Sequence, residues 1–165
     1  MKKVLCIVMC ACLLLLCSCG AAKETEKSSE TELFCFFSIE CATILNHLED
    51  LNPDKTDVVP EDGIILEKTQ FSFEESESVY DLLVRVCKDK GIQMDASWIP
   101  AYNCYSIDGI HNLYSFDCGQ CSGWMFSVNG VYPSVGCSQY ELKAGDVVEF
   151  RYTCDYGLDI GCVFE

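Results

Sequence analysis

One strongly amphipathic segment, from Val79 to Lys90, constrains the fold of this chain more than any other feature. Its apolar residues recur with the period of a helix that buries one face. They occupy positions i, i+3, i+4, i+7 and i+8, namely Val79, Leu82, Leu83, Val86 and Cys87. Ser78 is placed to cap the first turn with Asp81 as its partner, and Gly91 follows a basic last turn as a stop signal. The pattern predicts one main helix whose apolar stripe belongs to the core.

The segments on both sides of this helix have the composition of β-strands. Residues 33–41 and 64–73 precede it, separated by a short helical stretch at 42–48 and a charged, proline-containing loop at 49–63. Five β-prone runs follow it, at 92–98, 102–108, 110–116, 124–128 and 147–153. Asn129-Gly130 is a strong hairpin signal and predicts that residues 124–128 turn back onto Val131-Tyr132. Strands, one helix and more strands predict an α+β domain, with a mixed or antiparallel sheet packed on the helix.

The first residues, MKKVLCIVMCACLLLLCSCG, have the pattern of an export signal. The apolar run at 4–17 is too short to cross a hydrocarbon core of about 30 Å, but it has the length of a signal-peptide apolar region. LCSC at 16–19 resembles the lipobox of bacterial lipoproteins, which implies a signal peptide at 1–18 and a lipid on Cys19. Two acyl chains there would hold the protein on the extracytoplasmic face of the cell membrane. A plain signal peptide cleaved nearby and an uncleaved N-terminal anchor are the alternatives.

The segment after Cys19 contains no large apolar side chain. Residues 20–32 read GAAKETEKSSETE, so residues 19–32 are predicted to be a lipidated cysteine with a flexible tether, and residues 33–165 one domain. The net charge of −15 becomes −17 when Lys2 and Lys3 leave with the signal peptide. Such a surface repels phosphate backbones, which excludes nucleic acid as a partner.

Nine of the 14 cysteines lie beyond Cys19. They are Cys35, Cys41, Cys87, Cys104, Cys118, Cys121, Cys137, Cys154 and Cys162. An exported protein could pair many of them as disulfides, but nine is odd and the sequence does not give the connectivity. Cys118-Gly-Gln-Cys121 is followed by a β-prone run rather than a helix, and it lacks the second close pair of a zinc site. We therefore expect packing or a disulfide for this motif, and no metal site.

Residues 39–157 resemble the transcobalamin-like C-terminal domain, a bacterial surface domain that is also the small domain of animal cobalamin carriers. The resembling stretches are IECATIL, PEDGIILE, FEESESVYDLLVRVC, SIDGIHNLYSFDCG and SGWMFSVNGVYPSVGCSQYELKAGDVVEFRYTCD. The resemblance implies a β-grasp-like fold for the domain at 33–165. In the animal carriers a helical domain forms the other half of the clamp, and this sequence has no length for it. Cobalamin binding here would therefore be weak or would need a partner or a dimer.

The sequence leaves two functions in close competition. The first is a non-enzymatic small-ligand-binding module, for cobalamin or a related corrinoid as ligand rather than cofactor, because ligand sites combine apolar walls with a few polar groups. Its candidate residues are Trp124, Asn129, Tyr132, Pro133, Ser134, Val135 and Tyr140, although Trp124 and Tyr140 could instead pack the core. The second is a cell-surface module that binds a protein or a glycan. The sequence contains no constellation of nucleophile, base or metal that would predict an enzyme.

Overall fold

The computed structural model describes residues 32–163, so the predicted signal peptide, Cys19 and most of the tether lie outside the described part of the chain. Three short 3-10 helices lie between the main elements of this part, at Ala42–Asn46, Pro53–Val58 and Cys137–Gln139, and a fourth follows the last strand at Leu158–Ile160. The strands and the helix follow in the order β1 (Leu33–Glu40), β2 (Ile64–Phe73), α1 (Val79–Lys90), β3 (Met94–Ile99), β4 (Cys104–Ile110), β5 (Leu113–Tyr114), β6 (Gly123–Val128) and β7 (Val147–Thr153).

The strands form two sheets. In the four-stranded sheet the order is β2-β1-β7-β6, with β1 and β7 parallel at its centre and antiparallel pairs on both sides. The smaller sheet has the order β3-β4-β5 and is antiparallel. Alternate residues of β1 and β7, including Phe37 and Phe150, are buried and pack with the helix in one core. The predicted α+β class, with a mixed sheet and one main helix, is confirmed.

The helix α1 has the predicted boundaries and caps. The Ser78 hydroxyl accepts the Asp81 amide at 3.2 Å, and the Asp81 carboxylate accepts the Ser78 amide at 3.1 Å. Gly91 ends the helix in the left-handed region, at a φ of 68°. All five apolar residues of the predicted stripe are buried. No helix between residues 32 and 163 combines the length and the apolar character needed to cross a membrane.

The Asn129-Gly130 turn forms as predicted, but the hairpin around it is limited to the single antiparallel pair of Val128 and Val131. Val128 and Val131 exchange backbone hydrogen bonds of 2.8 and 3.0 Å, and both turn residues have positive φ. Beyond Val131 the chain leaves the sheet, and β6 pairs with β7 along its whole length. β6 pairs with β7 because β7 has a continuous apolar face to bury. The residues after Val131 include Pro133, which has no backbone N–H to donate to a neighbouring strand.

The run predicted as a strand at 110–116 is also shorter than expected. His111 and Asn112 adopt positive φ, of 54° and 60°, and turn the chain between β4 and β5. Only Leu113 and Tyr114 then pair with β4. Propensity favoured a longer strand, but two consecutive residues in the left-handed region end it.

Candidate functional site

A cleft of about 950 Å³ opens beside the Asn129-Gly130 turn. Three pieces of chain build it: one residue of β6, the loop that leaves the sheet after the turn, and the segment after the last 3-10 helix. The volume is in the range that small-ligand sites occupy. The lining residues are Met125, Gly130, Val131, Tyr132, Pro133, Ser134, Val135, Tyr140, Gly161, Cys162 and Val163.

Five of the seven candidate residues lie in this cleft: Tyr132, Pro133, Ser134, Val135 and Tyr140. Their side chains lie together beside Met125 of β6 because the chain leaves the sheet after Val131. The loop thus forms one wall of the cleft, which a regular hairpin would not have produced.

Trp124 and Asn129 do not line the cleft, and both have structural roles. The Trp124 indole N–H donates to the Leu113 carbonyl at 2.8 Å, and its ring meets Tyr152 edge-on, so this side chain packs between the two core clusters. The Asn129 amide group donates to Asp146 at 2.9 Å, and its carbonyl accepts the Val147 amide at 2.9 Å. Asn129 therefore fastens the turn to the start of β7 rather than facing the cleft.

Tyr132 is held firmly in the cleft wall by Arg151. The Tyr132 hydroxyl donates to the Ile160 carbonyl at 2.9 Å, and the Arg151 guanidinium donates to the same carbonyl at 3.0 Å. Arg151 in turn forms an ion pair with Glu40 on the neighbouring strand. Burial raises the pKa of the Tyr132 phenol, although Arg151 opposes this shift. The ring is therefore a neutral, fixed surface.

Sequence reasoning missed Met125 and the C-terminal wall of the cleft. That wall depends on Asp159, whose carboxylate accepts the Cys154 amide at 2.7 Å and binds the Thr153 hydroxyl. Gly157 lies so close that an added Cβ would be 2.8 Å from the sulfur of Met125. The signal that could have revealed this turn is the pair of glycines at 157 and 161, which adopt positive φ on either side of the 3-10 helix.

Within residues 32–163, the lining of this cleft includes no charged side chain, although the chain has a net charge of −15. The polar side-chain groups of these lining residues are the hydroxyls of Tyr132, Ser134 and Tyr140 and the Cys162 thiol. A second cleft of about 700 Å³, next to the start of α1, is different because glutamates and aspartate dominate its lining. No group of three or more His, Cys, Asp or Glu side chains in residues 32–163 has the arrangement of a metal site. The uncharged cleft therefore suits a neutral, amphipathic molecule.

Residues 76–154 match the family model described as a domain of unknown function, DUF4430. The match covers just under half of the chain, from two residues before the N-cap of α1 to the residue after β7. No curated protein matches the sequence.

Solved structures extend the comparison to the fold. Haptocorrin in complex with Cbi is 12% identical, with a TM-score of 0.52 over 74% of this chain and 25% of that chain. The present chain thus spans about a quarter of haptocorrin's length, and at this identity the likeness supports a transcobalamin-like fold. A Ruminococcus gnavus protein described as a candidate metal-binding protein is 13% identical, with a TM-score of 0.43 over 74% of this chain and 97% of that one.

Proposed function

We propose that this protein is a membrane-anchored extracytoplasmic lipoprotein whose β-grasp-like domain is a non-enzymatic small-ligand-binding module. Cobalamin or a related corrinoid is the ligand that we would test first, because the fold likeness to haptocorrin agrees with the transcobalamin-like resemblance of the sequence. The observation that carries the proposal is the uncharged cleft of about 950 Å³ in a strongly acidic protein.

The walls of the cleft fit a flat amphipathic ligand. Tyr132 and Tyr140 supply aromatic surface, and Met125 and Val135 add apolar surface, so a planar ring would be desolvated on contact. Arg151 already fixes the Tyr132 ring, so little side-chain entropy is lost on binding. A corrinoid is larger than this cleft, and part of it would stay exposed unless a second copy or a partner covers it. We therefore expect affinity in the micromolar range.

Calorimetric titration of the full chain with cyanocobalamin tests this proposal. A carboxylate placed in the cleft by Val135→Asp should weaken binding by about tenfold, because a desolvated charge would face an apolar part of the ligand. Val135 is 44% exposed, so the domain should tolerate the change. Leu48→Asp is the matched control, since it adds the same charge at a side chain that is 55% exposed and outside the cleft. Absence of saturation at millimolar ligand, or equal affinities for both variants, would contradict a corrinoid site in this cleft.

A surface interaction module for a protein or glycan is the second candidate. It is favoured by an aromatic group where the smaller sheet meets α1. Tyr105 of the sheet stacks on Tyr80 of the helix with centroids 4.3 Å apart and meets Trp98 edge-on at 5.1 Å. Trp98 is 46% exposed and Tyr102 is 74% exposed. Aromatic rings are enriched in interfaces. Binding of the full chain to a glycan array that is lost with Trp98→Ala, together with no cyanocobalamin binding, would favour this function.

The membrane anchor is a separate part of the proposal and has its own test. It is supported by the basic start, the short apolar run and the LCSC lipobox pattern at residues 16–19. Mass spectrometry of the native protein should find a mature N-terminus at Cys19 carrying a diacylglyceryl group, and Cys19→Ala should abolish the lipid whereas Cys17→Ser should retain it. A mature N-terminus elsewhere, or an unmodified Cys19, would refute lipid anchoring at this residue.

A further inference from the structure

Asn129-Gly130 is a chemically labile pair as well as a turn. Asn129 is the only asparagine of the chain that a glycine follows. A glycine has no side chain to shield its backbone nitrogen, so this nitrogen can attack the side-chain amide of the asparagine before it. Both residues are exposed, and apart from the neighbours of Gly130 in the chain, no heavy atom of residues 32–163 lies within 4 Å of the position that a Cβ on Gly130 would take. We propose that Asn129 is a deamidation site that the folded sheet protects, and that its conversion weakens one end of the uncharged cleft.

The reaction needs only water as a co-reactant. The Gly130 nitrogen bonds to the Asn129 Cγ, the bond from Cγ to the side-chain nitrogen breaks, and the proton of the Gly130 nitrogen leaves with that nitrogen as ammonia. The product is a cyclic succinimide. Water then opens the ring at either carbonyl and gives aspartate or isoaspartate at residue 129. Nothing is oxidised or reduced, and the net change is the exchange of an NH2 group for OH.

Hydrogen bonds at both ends of the Asn129 side-chain amide oppose this reaction in the folded protein. Its nitrogen donates to the Asp146 carboxylate at 2.9 Å, and its oxygen accepts the Val147 amide at 2.9 Å. The Asn129 backbone amide also donates to the Val147 carbonyl at 2.8 Å. Ring closure moves the Asn129 Cγ onto the Gly130 nitrogen and expels the nitrogen that Asp146 holds, so these side-chain bonds must break first.

Asp146 is itself held in place by the sheet. Its side chain is buried, and the carboxylate oxygen that does not bind Asn129 accepts the Lys143 amide at 2.9 Å. Its backbone carbonyl accepts the Phe36 amide of β1 at 2.8 Å. The acceptor of the Asn129 amide therefore stays in position as long as β1 and β7 are paired. We expect deamidation to follow local opening of this end of the sheet, which costs less free energy than unfolding of the whole domain.

Conversion of Asn129 would reverse the sign of its contact with Asp146. A donor would be replaced by a second carboxylate facing a buried one, in a chain whose net charge is already −15. Isoaspartate would also add a methylene group to the backbone of the turn. Gly130 and Val131 follow directly in the chain and line the cleft, so the damage reaches the cleft wall. The inference does not depend on what the cleft binds.

Peptide mapping of the full chain tests the proposal. The chain is incubated in mildly alkaline buffer with and without urea, and mass spectrometry with fragmentation that separates aspartate from isoaspartate follows each asparagine. Asn129 should convert at least about tenfold more slowly in the folded chain than in urea, because two side-chain hydrogen bonds protect it. Asn103 and Asn112 are internal controls, since they also have positive φ but precede Cys104 and Leu113, and they should stay intact. Equal rates at Asn129 with and without urea, or faster conversion at either control, would overturn the proposal.

Variants provide a second readout. Asp146→Ala should raise the rate at Asn129 in the folded chain about fivefold, because one of the two protecting bonds is lost, and should leave the rate in urea unchanged. Asn129→Asp reproduces one product and should lower the Tm by roughly 5 °C. Asn112→Asp is the matched control, since it adds the same charge at another exposed asparagine and should change the Tm by less than about 1 °C. A folded-state rate in Asp146→Ala equal to that of the parent, or equal Tm values for the two aspartate variants, would refute the proposed protection.

Discussion

The hydroxyl of Tyr152 can be removed with almost no change in shape. Tyr152→Phe deletes one oxygen atom from a side chain that is completely buried at the centre of the smaller core cluster. That atom donates to the Tyr114 carbonyl at 2.7 Å and is 2.9 Å from the Ser122 hydroxyl. The loss of stability therefore measures these two hydrogen bonds rather than packing.

The expected loss of stability follows from the groups that lose the Tyr152 hydroxyl as a hydrogen-bond partner. Each hydrogen bond contributes about 1 kcal/mol, and the Tyr114 carbonyl is left without this donor in a half-buried position, so Tyr152→Phe should cost about 2 kcal/mol. For a folded domain of this size, that corresponds to a fall in Tm of roughly 7 °C. Ser122→Ala removes the bond between the Ser122 and Tyr152 hydroxyls, which Tyr152→Phe also removes. The double variant should therefore lose about 1 kcal/mol less than the sum of the single losses.

Urea unfolding and thermal melts of the three variants and the parent measure these values. Tyr102→Phe is the matched control, because that ring is 74% exposed and the same change should alter the free energy of unfolding by less than about 0.5 kcal/mol. If Tyr152→Phe also stays below about 0.5 kcal/mol, or if it adds fully with Ser122→Ala, the two hydroxyls do not bond as described and the reasoning fails.

Two further predictions concern α1. Ser78→Ala removes the hydroxyl that accepts the Asp81 amide and should lower the free energy of unfolding by about 1 kcal/mol. Ser78→Asp should restore most of this loss. Equal midpoints of urea unfolding for Ser78→Ala and the parent would contradict the cap. The folded protein holds the Cys87 proton up to a pKa of about 12, whereas an unfolded thiol releases it near 9, so stability should fall as pH rises from 9 toward 12. Cys87→Ala should flatten this decline by up to about 1.4 kcal/mol per pH unit in reducing buffer, and an unchanged slope would show that Cys87 ionises normally.

Local signals predicted much of this fold. The caps and stripe of α1 and the bounds of β2 and β7 depend on neighbouring residues, which the sequence displays directly. The partner of β6 could not be found this way, because Asn129-Gly130 describes only its own turn. Which strand then pairs is decided by burial, and the apolar face of β7 is remote in sequence. Local chemistry fixes where elements begin and end, while their pairing depends on the whole core.

The residues of the candidate site show the same difference between local signals and contacts that are remote in sequence. Tyr132 to Val135 follow a turn that forces the chain to the surface, so their presence in the cleft could be expected from sequence. The sequence does not show whether Trp124 binds a ligand or packs the core. The structure decides this, because the indole N–H donates to the Leu113 carbonyl. The C-terminal wall was missed because its place in the cleft depends on the close approach of Gly157 to Met125 in β6, which is remote in sequence.

The parallel pairing of β1 with β7 makes the beginning of the domain depend on its end. Glu40 and Arg151 meet across this pair, although 111 residues separate them. While the chain folds, one edge of the aromatic first strand is uncovered until residues 147–153 are available to pair with it. A fragment truncated before Val147 would keep that edge exposed, so it should aggregate or be degraded rather than persist as a smaller stable protein.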